Sequence, residues 1–83
     1  MSVLSDLPNV GKVLEQNLIV AGITTPEQLR EVGTKEAFLR IRAYDPGACM
    51  HMLYGIQGAI EGIKDQFLSE GTKQELKKFF KSL

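Results

Sequence analysis

Apolar residues recur three and four positions apart in short runs along this chain, and no stretch alternates with a period of two, so the pattern predicts helices and no sheet. After Pro8, the residues Val10, Val13, Leu14, Leu18 and Ala21 form one apolar stripe, and Gly22 supplies the left-handed residue that ends a helix. Thr25 is placed to cap a second, short helix, with Pro26 in its first turn, Gln28 completing a capping box and Leu29 and Val32 on its inner side. Gly33 stops it. Thr34 then caps a third helix, with Ala37, Phe38 and Ile41 inside and Glu36 and Arg40 one turn apart outside. Asp45 before Pro46 reads as another cap, and predicts a long helix from roughly Pro46 to Lys64 with Cys49, Met52, Leu53, Ile56, Ala59, Ile60 and Ile63 on its apolar face. A last helix starts between Ser69 and Thr72 and carries Leu76, Phe79, Phe80 and Leu83 at the spacing of a buried stripe.

The expected fold is therefore all-α, a compact bundle of about five short helices forming one domain over residues 1–83. Composition adds bounds rather than detail. Hydrophobic residues make up 43% of the chain and charged residues 24%, within the range of ordinary globular proteins. Ten basic and ten acidic side chains cancel, so no long-range field draws the whole molecule to nucleic acid or to an anionic membrane. Cys49 is the one cysteine, which excludes an intramolecular disulfide and points to a reducing compartment. Met1 to Leu7 has no basic-then-apolar run, and no stretch of some twenty apolar residues occurs, so a cytoplasmic location without membrane contact is expected.

Three features are candidates for a site. Leu7-Pro8-Asn9-Val10-Gly11-Lys12 reads as a tight turn feeding a helix, similar to one half of a helix-hairpin-helix element, where first-turn N–H groups can hold a phosphate. Asn9 stands where such elements carry glycine, although asparagine tolerates positive φ better than most residues. Lys12 is the only base close by, so Asn9, Val10, Gly11 and Lys12 are read either as a phosphate or DNA contact or as a purely structural turn. Lys73, Lys77 and Lys81 form one stripe of the last helix, with Lys78 beside it, read either as a surface for phosphate or an acidic partner or as a solvated face. Gly55, Gly58 and Gly62 share a strip of the long helix at a cost of about 1 kcal/mol each relative to alanine, which implies close approach by a neighbour. That neighbour is either the chain's own last helix or a second copy in an isologous dimer.

Nothing in the pattern supplies catalytic machinery. Cys49 and His51 are two residues apart and diverge on a helix, so they form no dyad, and Cys49 is expected in the core. One cysteine and one histidine do not make a zinc site, and no Walker loop, dinucleotide fingerprint or nucleophile elbow occurs. The expectation is a non-enzymatic chain without metal or cofactor.

Four stretches taken together resemble the C-terminal domain of the TfoX/Sxy family of competence regulators: Leu4 through Gly11, Ala21 through Leu29, Val32 through Arg40, and Cys49 through Ile63. Their order and spacing match across nearly the whole chain, and Val32 through Arg40 together with Leu53-Tyr54 and Gly58-Ala59-Ile60-Glu61-Gly62-Ile63 are the most specific parts. The resemblance implies an all-α fold of helix-hairpin-helix or SAM-like type and a link to the regulation of DNA-uptake genes in bacteria. It implies no catalytic activity. Longer family members carry a separate domain before this one, so the chain is expected to act alone, without that domain. Asp65 replaces a tryptophan that the family commonly places there, and Gly55-Ile56 replace a small residue followed by leucine. The function expected is a regulatory or protein-interaction module binding another protein or itself. The alternative is a sequence-independent nucleic-acid binder acting through Asn9 to Lys12.

Overall fold

The computed structural model describes residues 3–83. Met1 and Ser2, part of the stretch expected to lack an export signal, lie outside the described residues. Five α-helices make up the architecture: α1 (Lys12–Val20), α2 (Pro26–Val32), α3 (Thr34–Arg42), α4 (Met50–Glu61) and α5 (Glu70–Lys81). Single 3-10 turns at Leu4–Asp6 and Asp65–Phe67 complete it, and the described residues include no strand. None of the helices is long and apolar enough to cross a membrane.

Local chemistry explains most of the boundaries. Thr25 Oγ1 accepts from the Gln28 N–H, and Ser69 Oγ accepts from the Thr72 N–H, each satisfying a donor left over at a helix start. Gln28 reaches back to the Thr24 N–H and hydroxyl, one residue before the cap, rather than to Thr25 itself. Gly22, at φ +85°, ends α1: its own N–H bonds the Ile19 carbonyl and the following Ile23 N–H bonds that of Leu18. Thr34 is the first residue of α3 rather than its cap, and its buried hydroxyl donates to Gln57 Oε1 of α4 at 2.6 Å.

The core is one cluster. Leu4, Leu18, Ile23, Leu29, Phe38, Ile41, Leu53, Ile56 and Leu76 are almost fully buried and come from every helix, from the first 3-10 turn and, for Ile23, from the connection between α1 and α2. Phe80 closes it against Phe38, with ring centres 6.0 Å apart and planes tilted by 58°. α4 lies against α2, α3 and α5.

Several expectations are corrected. The first helix begins at Lys12 because Asn9 adopts φ +68° and turns the chain before any helix can form. Val13 is 75% exposed, since the inward stripe of α1 runs through Leu14 and Leu18. The fourth helix is shorter than Pro46 to Lys64 at both ends. Asp45 Oδ1 accepts from the Gly47 N–H at 2.9 Å and the Ala48 N–H bonds the Asp45 carbonyl, so Asp45-Pro46-Gly47 is spent on a turn. Cys49 follows in extended conformation as the residue before α4, and it is exposed rather than in the core. At the other end Gly62, at φ +79°, reverses the chain; its N–H bonds the Ala59 carbonyl and the Ile63 N–H bonds that of Gly58. Leu83, expected on a buried stripe, is 41% exposed beyond the end of α5.

Candidate functional site

The Leu7–Lys12 turn is anchored by the carboxamide of Asn9. Its Nδ2 donates to the Ile63 carbonyl at 2.9 Å and to the Gly55 carbonyl at 3.4 Å, while its Oδ1 accepts from the Asp65 N–H at 3.1 Å. A glycine in this place could take the same positive φ but could make none of these bonds. Asn9 thus sits under the end of α4, and all three bonds go to backbone more than 45 residues away in sequence.

That placement identifies the neighbour of the glycine strip. A Cβ on Gly58 would stand 2.5 Å from Asn9 Nδ2 and 2.7 Å from the Ile63 carbonyl oxygen, and one on Gly55 would touch Asn9 Cβ at 3.6 Å. Gly55 and Gly58 are both buried. The close approach expected of the last helix or of a second subunit is made instead by the N-terminal turn. Gly62 plays a different part, ending the helix with nothing near its absent side chain.

Beside Asn9 lies an open cleft of about 450 Å³ between the start of α1 and the start of α4, lined by Lys12, Val13, Cys49, His51, Met52 and Asp65 among others. Gly11 precedes α1 and has no side chain to offer, and Cys49 precedes α4 without capping it, so the first-turn N–H groups, which have no intrahelical partners in any helix, receive no side-chain cap from these residues. With Lys12 they favour negative charge at the mouth, and the Asp65 carboxylate opposes it. His51 Nδ1 stands 3.8 Å from Asp65 Oδ2, an exposed imidazole beside a half-buried carboxylate, and the pair is ionic only with the imidazole protonated. The sequence singles out Asn9 to Lys12 as a turn, and the structure alone brings Cys49, His51 and Asp65 beside it. Nothing in hydrophobic period could join segments forty residues apart, although the hydrogen-bonding capacity of Asn9 was a signal that its side chain had partners.

Lys77, Lys78 and Lys81 lie exposed on α5, away from the Leu76 side that enters the core, whereas Lys73 is half-buried at the edge of that side, its carbonyl accepting from the Tyr54 hydroxyl of α4 at 3.4 Å. The ion pairs among the described residues are Lys35–Glu75 at 4.0 Å, Arg40–Glu36 at 3.1 Å and His51–Asp65, none of which engages these four lysines. Lys73 Nζ reaches only the Gln66 carbonyl, at 3.5 Å. The lysines and the Asn9 turn are separate features. Among the described residues no three His, Cys, Asp or Glu side chains are grouped so as to hold a metal ion.

Solved structures share this arrangement of helices. The crystal structure of an uncharacterized protein from Listeria monocytogenes, in a triclinic form, superposes with a TM-score of 0.96 at 57% identity, covering 98% of this chain and 92% of that one. A tetragonal form of a protein of unknown function from Listeria monocytogenes gives 0.93 at 58% identity, covering 95% and 96%. In sequence, the DNA transformation protein TfoX of Haemophilus influenzae is 33% identical over 75 residues, covering 90% of this chain and 35% of TfoX. Protein Sxy of Escherichia coli is 36% identical over 80 residues, covering 96% of this chain and 38% of Sxy. The chain thus spans little more than a third of the length of these two relatives. Residues 1–80, which include the Asn9 turn, the glycines beneath it and all of α5 but Lys81, match the TfoX C-terminal domain, and the chain belongs to that family.

Proposed function

We propose that this chain is a non-enzymatic regulatory module of the TfoX type, which acts in the cytoplasm by binding a protein partner and contributes to the control of DNA uptake. The observation that carries this reading is the match over residues 1–80 to a domain of a DNA transformation protein. The local chemistry agrees with it, because the most elaborate polar constellation, around Asn9, is fully used in holding the turn to α4. The same commitment sets the nucleic-acid reading of Asn9 to Lys12 behind this one. Asn9 has its polar atoms engaged, and Lys12 alone supplies charge to the turn.

The test replaces the matching 75-residue segment of Haemophilus TfoX by this chain and measures transformation frequency beside TfoX lacking that segment. The chimera should transform well above the deletion. A chimera that accumulates to the level of TfoX yet transforms no better than the deletion overturns the proposal. Sedimentation of the isolated chain at rising concentration separates a foreign partner from a second copy.

A further inference from the structure

We propose that the outer face of α1 is the contact surface of a weak two-fold dimer of this chain, with Val13 and Val20 at its centre and Lys12 of each copy facing Asp45 of the other. The association belongs to the isolated chain, so its failure leaves the regulatory reading, which the chimera tests, as it stands.

The face is apolar where a surface helix ordinarily carries polar groups. Leu14 and Leu18 fill the inner side of α1, yet Val13 and Val20 stand 75% and 66% exposed on the outer one. They are seven residues apart, two helical turns and about 10 Å, and so share one side of the helix with Gln16 between them. The strip extends beyond the helix at both ends. The Tyr44 hydroxyl donates to the Asn17 carbonyl, which lays an exposed phenol alongside the Val20 end, and Val13 lines the cleft with Met52 and Cys49 at the other. Single exposed valines are ordinary, but a joined strip of this kind marks a contact surface.

Charge selects the occupant. Lys12 opens α1 at the Val13 end, where the helix dipole is also positive, and the Asp45 carboxylate follows Tyr44 at the Val20 end, where the dipole is negative. Other charges nearby are engaged or turned aside. Arg40, which reaches the Ala21 carbonyl, is paired with Glu36 at 3.1 Å, and Asp65 is recessed in the cleft beside His51. Glu15 is half-buried on the opposite flank of α1, and Arg42 lies on the flank of α3 away from Tyr44. A foreign acidic or basic segment would match one end of the strip and be repelled by the other. A second copy turned about a two-fold axis, its α1 antiparallel to the first, sets Lys12 against Asp45 at both ends, Val13 against Val20, and opposes the two dipoles. Ten basic and ten acidic residues leave no net repulsion between copies. A helix of nine residues with one flanking phenol lies at the small end of specific interfaces, so the dimer is weak, with a Kd on the order of 0.1 mM.

The test is sedimentation equilibrium of the full chain from about 0.01 mM to about 1 mM, with amide NMR spectra over the same range. The mean mass should rise from monomer toward dimer, and amides of α1, Tyr44 and Asp45 should shift with concentration while those of α5 stay fixed. Val13→Gln with Val20→Gln changes only exposed side chains and should raise the Kd about tenfold or more. Asp45→Asn keeps an acceptor for the Gly47 N–H while removing the charge, and Lys12→Gln removes its counterpart. Each should weaken the dimer about threefold, and the two together little more than either alone, because they break one contact. A chain that stays monomeric at about 1 mM overturns the proposal and leaves the strip to a foreign partner. A dimer that survives the valine pair, with circular dichroism and melting as in the parent, overturns it as well, as do Lys12 and Asp45 effects that simply add.

Discussion

At the scale of single residues, Asn9 and Gly58 act as one device. Alanine at Gly58 would gain about 1 kcal/mol of helix propensity, yet its Cβ would meet Asn9 Nδ2 at 2.5 Å and a backbone carbonyl at 2.7 Å. The carboxamide can shift; the Ile63 carbonyl, fixed by the turn that ends α4, yields only with the backbone. Overpacking of this kind costs about 1–3 kcal/mol or more, so the clash outweighs the propensity and Gly58→Ala should destabilise the fold. Asn9→Gly keeps the positive φ and loses three hydrogen bonds, a cost of about 1–3 kcal/mol, and Asn9→Ala should cost about 1 kcal/mol more because alanine is strained there. In the double variant Asn9→Gly with Gly58→Ala, the contact at 2.5 Å disappears while that at 2.7 Å remains, so the combined loss should be less than the sum of the two. Urea denaturation of the four proteins measures this coupling, and strict additivity would separate the two residues.

At the scale of elements, what the sequence made legible were the places where one side chain decides a boundary. Thr25 caps α2 with the hydroxyl that the pattern assigns to it, Gly22 ends α1, and α5 starts within the window that the pattern gives, where Ser69 proves to be the cap. Ser69→Ala should therefore cost about 1 kcal/mol and fray the first turn of α5, seen as faster amide exchange at Thr72 and Lys73, whereas an unchanged exchange rate would mean that the cap adds nothing. The start of α4 was not legible for a physical reason. Asp45-Pro46 satisfies the rules for a helix start and for a turn alike, and Gly47, costly inside a helix, tips the balance to the turn. The exposure of Cys49 follows from that shift, because a residue placed before the helix is no longer on its apolar face. The candidate site was less legible still. Lys12 and the lysines of α5 could be placed on their helices from the pattern, but the cleft that joins the starts of α1 and α4 depends on tertiary packing, which local periodicity does not encode.

At the scale of the molecule, a single core predicts one cooperative unfolding transition, and any bond that ties distant elements contributes to it as a whole. Tyr44, just past the end of α3, donates its phenolic hydrogen to the Asn17 carbonyl of α1, linking helices 27 residues apart in sequence. Its partial burial, followed by the charge of neighbouring Asp45, raises the phenol above its ordinary value of 10.0. The folded state therefore holds this proton more tightly than the unfolded chain does. The sign follows from linkage: the stabilisation is complete below the unfolded value and is lost as pH rises through the higher folded one, where ionisation also removes the donor to Asn17. Tyr44→Phe lacks both the bond and the titration. At neutral pH it should be less stable by about 0.5–1.5 kcal/mol, the net worth of one hydrogen bond. Lysines deprotonate in the same alkaline range in both proteins, so the informative quantity is the difference between them. The gap in urea midpoint should hold steady below the ordinary phenol value of 10.0 and narrow as pH rises through and above it, and a gap independent of pH would show that the Tyr44 phenol does not tie α3 to α1.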